Sequence, residues 1–170
     1  MSTIKRIGAS AFAIMLLTGG LAQAPVVRAD EPSPQAPLEF KVNQASENVA
    51  IGGYDLVAYF TEKDAVKGSS AYAVEWGGTI YRFASEEHQA AFLSDPGKYL
   101  PRFGGYCPVA LKEGRFEKGN PEEFVVQNGR LYICENASAH AELKDNPEAV
   151  VEAAEDNVSE VIREQMAQQK

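Results

Sequence analysis

Two cysteines and two histidines, Cys107, Cys134, His88 and His140, carry most of the soft-donor and nucleophilic chemistry open to this chain of 170 residues. Such a set contains no Cys-x-x-Cys, no His-Glu-x-x-His and no glycine-rich phosphate loop, which leaves thioredoxin-type exchange, zinc proteolysis and nucleotide binding without support. Three uses of the cysteines stay open: a disulfide, a pair of thiolate ligands, or two small apolar side chains in a core. A disulfide between Cys107 and Cys134 would contribute about 3 kcal/mol through loop closure. As ligands, the same sulfurs would join His140 or Glu135 around a soft ion, with cuprous copper the choice outside a reducing compartment. A further set, Asp55, His88 and Cys107, suits a centre in which a carboxylate fixes the imidazole tautomer beside a thiolate. Those residues are also the parts of a Cys-His-Asp nucleophilic arrangement, although no nucleophile elbow or oxyanion signature accompanies them.

The elements that must position these residues come in two similar copies. Gly52-Gly53-Tyr54-Asp55-Leu56-Val57-Ala58 returns as Gly104-Gly105-Tyr106-Cys107-Pro108-Val109-Ala110, so Asp55 and Cys107 take equivalent places. Lys67-Gly68 returns as Lys118-Gly119. Each copy then reads as a hairpin, because apolar runs flank Gly77-Gly78 and Asn128-Gly129, dipeptides that accept the positive φ values of a type I′ turn. A short helix follows each hairpin, opened by Ser85 in one copy and by Asn136 or Ser138 in the other. Asp95-Pro96 and Asn146-Pro147 then start a second helical segment. From Glu148 to Lys170, apolar residues recur every three or four positions and predict an amphipathic helix. Equivalent packing of two copies would bring Asp55, His88 and Cys107 to one seam.

The chain begins with Lys5 and Arg6 before an apolar run from Ile7 to Leu17, too short to span a bilayer, which predicts a signal peptide over residues 1–29 cut after Ala29. Pro32, Pro34 and Pro37 mark 30–47 as a tether leading to a domain at 48–157, with units at about 48–102 and 103–157 and the helix end at 158–170. The formal charge is −8 at pH 7. An acidic surface repels phosphate backbones and anionic headgroups, so neither nucleic acid nor a membrane is an expected partner, and a monomer is the default.

The stretch Ile51 to Phe60, then Tyr81-Arg82-Phe83-Ala84-Ser85, then Phe92 to Tyr99, together with Gly104-Gly105-Tyr106-Cys107, resembles the exported YHS domain family. That resemblance implies an α+β fold of two pseudo-repeated hairpin and short-helix units, treble-clef or YHS-like, with an amphipathic C-terminal helix. Short YHS units are similar to metal-binding modules with clustered cysteines, whereas this chain has Ala58, Ala110 and Ala84 at such positions and keeps only His88, Cys134 and His140 at or near the others. A closed zinc site is therefore not expected. The reading is an exported binding module that holds copper through Asp55, His88, Cys107, Cys134 and His140. Its rivals are a metal-free module binding a protein partner with a Cys107–Cys134 disulfide, and a small thiol enzyme.

Overall fold

The computed structural model describes residues 27–28 and 48–168. Apart from Val27 and Arg28, the expected signal peptide lies outside the described residues, and so does the expected tether. In chain order the elements are β1 (Val27–Arg28), α1 (Ala58–Thr61), β2 (Ser69–Trp76), β3 (Thr79–Phe83), α2 (Glu86–Ser94), α3 (Pro96–Tyr99), α4 (Pro108–Lys112), β4 (Phe124–Gln127), β5 (Arg130–Ile133), α5 (Ala137–Asp145) and α6 (Pro147–Gln168). This is an α+β arrangement of two small sheets with helices. β2 and β3 pair antiparallel, as do β4 and β5, and β1 lies parallel to β2 with Val27 beside Val74. The expected cut after Ala29 would remove β1 and leave β2–β3 as a plain hairpin.

Both hairpin turns use left-handed backbone at each central residue, with φ of 56° and 71° at Gly77 and Gly78 and of 51° and 71° at Asn128 and Gly129. That is the twist a two-residue connection requires. Ser85 accepts from the His88 amide and Asn136 from the Ala139 amide, so each helix after a hairpin has a side-chain cap, and Ser138 has no part in it. Pro96 follows the capping Asp95 in the first half and Pro147 begins α6 in the second. The closing segments then differ. α3 has four residues, whereas α6 has 22 and runs without a break through Asn157, where the second unit was expected to end.

Backbone contacts before each hairpin also recur. The Asp55 amide donates to the Val66 carbonyl at 2.8 Å and the Cys107 amide to Glu117 at 2.9 Å, while Gly68 bonds Gly53 at 2.9 Å and Gly119 bonds Gly105 at 3.0 Å. Both Asp55 and Cys107 are thereby held at the end of a left-handed glycine knuckle.

Burial is organised around β5. Leu131 and Ile133 lie in a cluster with Leu56, Tyr59, Tyr81, Phe83 and Phe92, whereas Tyr132 and Cys134 lie in another with Cys107, Leu111 and Leu143. Strand side chains alternate between faces, so β5 forms the wall between two cores. Val150, Ala154, Val158 and Val161 of α6 close the second core. Tyr59 joins the halves, with its ring 4.6 Å from that of Phe124 and its hydroxyl donating to the Pro121 carbonyl.

Candidate functional site

Asp55 has no exposed surface, and its carboxylate is met by backbone amides rather than by a cation. Oδ1 accepts from Val57 at 2.8 Å and Ala58 at 3.3 Å, and Oδ2 accepts from Ala84 at 2.7 Å. Burying a charge is costly unless such donors replace water. The fourth partner is His88, whose Nδ1 lies 2.7 Å from Oδ2. Because the Ser85 cap sets the first turn of α2, His88 arrives with its ring already facing Asp55. A carboxylate at Nδ1 favours a proton there, while Nε2 lies 3.4 Å from the Thr61 hydroxyl and 3.8 Å from Glu62 Oε1.

Cys107 occupies the equivalent setting in the second half, with sulfur in place of carboxylate. Asp55 draws three backbone amides to its carboxylate, whereas Cys107 begins α4 without a side-chain cap hydrogen bond. Cys134 lies with Cys107 in one core and close enough for each thiol to perturb the other. Both cysteines are free and have no exposed surface. The neighbouring Cys134 thiol lowers the Cys107 thiol to about 6, burial opposes this, and nearby backbone amides add to the lowering. For Cys134 the Cys107 thiol acts in reverse, and burial and the negative charge at Cys107 also push its thiol up.

Of the five expected ligands, the structure brings together Asp55 with His88 and Cys107 with Cys134. His140 goes elsewhere, with Nδ1 2.9 Å from Glu123 Oε2, and Glu135 is bound by Arg115 at 2.8 Å. Among the described residues no three of His, Cys, Asp and Glu form a group that could hold a metal ion. The shared centre expected from Asp55, His88 and Cys107 is therefore not assembled, because Asp55 and His88 pair with each other while Cys107 lies in the second core. Two sulfurs with no third donor do not make a closed zinc site. The groups that sequence reasoning missed are the three amides around Asp55, those of Val57, Ala58 and Ala84. Compared with protein-family models, curated proteins and solved structures, the chain matches none.

Proposed function

We propose that the chain is an exported, YHS-like module whose working centre is the Cys107–Cys134 dithiol, used as a two-electron thiol/disulfide couple. The basic start and short apolar run at residues 5–17 support export, and the three ordered motifs support the YHS-like character. Among the described residues no helix is long and apolar enough to cross a membrane. The observation that carries the reading is that the two cysteines are free, fully buried and placed in one core. Thiol–disulfide exchange needs a thiolate and a second sulfur within reach. Copper held by these sulfurs is the rival, and what weighs against it is the division of the expected donors into separate pairs.

The test is equilibrium of the whole chain in mixtures of oxidised and reduced dithiothreitol, with thiols counted at each ratio and metal measured on protein purified without chelator. The expected result is a single transition between two thiols and none, without stoichiometric copper. Two thiols that survive full oxidation, or copper that is stoichiometric and lost in Cys107→Ser, would overturn the reading.

A further inference from the structure

We propose that His88 and Glu62 bind a divalent transition-metal ion of the zinc class at the surface of the first half, with Asp55 as the positioning carboxylate behind the histidine. The site is separate from the cysteine pair and does not depend on it.

His88 sits between two carboxylates of unlike character. Asp55 has no exposed surface and lies 2.7 Å from Nδ1, whereas Glu62 is about half exposed and places Oε1 3.8 Å from Nε2. Asp55 is not itself open to a ligand, because Oδ1 is taken by the amides of Val57 and Ala58 and Oδ2 by the amide of Ala84 and by His88. Its part is to fix the ring. In the neutral imidazole the proton stays at Nδ1 beside this carboxylate, and the lone pair lies at Nε2 on the outer side. A histidine that ligates a metal donates its other N–H to a carboxylate in the same way, which orients the ring and raises its basicity.

The outer side of the ring then has two acceptors facing each other. Nε2 and Glu62 Oε1 are 3.8 Å apart, and zinc bonds of about 2.0–2.2 Å let one ion span atoms up to about 4 Å apart. Because its side chain is about half in solvent, Glu62 is free to turn until the angle at the ion suits. The Thr61 hydroxyl donates to the Val57 carbonyl at 3.1 Å, so its oxygen, 3.4 Å from Nε2, is left to accept from a water on the ion. Imidazole nitrogen with carboxylate oxygen is a donor set for zinc and its neighbours, and it lacks the thiolate that cuprous ion selects. A proton at Nε2 gives the rival arrangement, an imidazolium shared by two carboxylates, and it excludes the ion.

The backbone holds both ligands in place. Glu62 ends α1, with its amide bonded to the Ala58 carbonyl at 2.8 Å, and the His88 amide is held by the Ser85 cap of α2. Asp55 binds the Ala58 amide and the His88 ring together, so one buried carboxylate ties the start of α1 to α2. Two protein ligands completed by water make an open, exchangeable site, and the ion is taken up from solution rather than locked into the fold. His140 is an internal control. Its Nδ1 also meets a carboxylate, Glu123 at 2.9 Å, but among the described residues its ring forms no second ion pair.

The experiment titrates zinc chloride into the full chain at neutral pH, with binding followed by calorimetry and the two histidine rings by NMR. The expected result is one ion per chain at micromolar zinc, with the His88 ring signals shifted and those of His140 unmoved. His88→Ala should abolish binding, and Glu62→Gln and Asp55→Asn should each weaken it at least about tenfold. The Cys107→Ser, Cys134→Ser double variant should bind as wild type does, so this result and the dithiothreitol transition succeed or fail separately. The NMR assignment uses the unaltered chain, which keeps the proposal decidable if a variant fails to fold. No saturation below about 1 mM zinc, equal shifts at both histidines, or zinc lost with the thiols would overturn it. Glu62→Gln that binds as tightly as wild type would also overturn it, and would leave the contact between His88 and Glu62 as an ion pair alone.

Discussion

At the scale of single residues, Asp55 and Cys107 take equivalent backbone positions with different side-chain chemistry. Asp55→Ala removes an acceptor and leaves the amides of Val57, Ala58 and Ala84 buried without it. An orphaned buried donor costs about 1–3 kcal/mol, and local relaxation recovers part of the total, so a loss of about 3 kcal/mol is expected in urea unfolding. A loss below about 1 kcal/mol would mean that these amides are not holding charge. At Cys107 the expected effect depends on pH. Its folded thiol is lowered from 9.0 to about 6, so its contribution is full above about 9 and fades as pH falls through 6. Cys134 is raised from the same 9.0, so its contribution is present below 9 and is lost as pH climbs further. Stability due to the pair should therefore rise from pH 6 to 9 and decline beyond. Chemical unfolding of wild type against the Cys107→Ser, Cys134→Ser double variant isolates that curve, and parallel profiles would refute it. The residue types at the site were legible in the sequence, and so was the equivalence of Asp55 with Cys107. The donors were not, because every backbone carries the same amide and only the fold aims it.

At the scale of elements, the hairpins were legible because Gly77-Gly78 and Asn128-Gly129 can take consecutive positive φ values at little cost. The caps at Ser85 and Asn136 were legible for a similar reason, since few residue types satisfy a free helix amide. The two-sided role of β5 was not. Leu131-Tyr132-Ile133-Cys134 reads as a continuous apolar run, which tells of burial on both faces but not of which core each face meets. That role makes its surroundings intolerant. A Cβ on Gly119 would stand 2.8 Å from the Gly105 carbonyl oxygen and closer still to Ile133, in a strip of backbone that adjoins the cysteine pair. Gly119→Ala should cost about 1–3 kcal/mol through overpacking and should slow disulfide formation in the folded protein. Gly114 has open space around it, so Gly114→Ala carries only the strain of its positive φ, about 1 kcal/mol, and should leave the thiols unchanged. Equal effects of the two substitutions on thiol chemistry would show that the packing of β5 does not govern the site.

At the scale of the whole molecule, the site is buried because α6 is there. Ala154, Val158 and Val161 lie in the core that contains Cys107 and Cys134, and Asn157 donates to the Lys112 carbonyl at 2.7 Å, tying α6 to the end of the helix that Cys107 begins. The first core has its own aromatic cluster, and among the described residues none of α6 lies in it. Ending the chain after Asp156 should therefore loosen the second core alone. Two buried valines contribute about 1.5–3 kcal/mol each, which makes local opening around the thiols far more frequent while the β2–β3 half stays folded. Reaction with a bulky anionic thiol reagent samples that opening. It should accelerate at least about tenfold in the shortened chain, whereas the rate with hydrogen peroxide, which needs little opening, should change much less. If both reagents accelerate alike, α6 supplies stability without selectivity. If neither does, the cover over the sulfurs comes from elements other than α6.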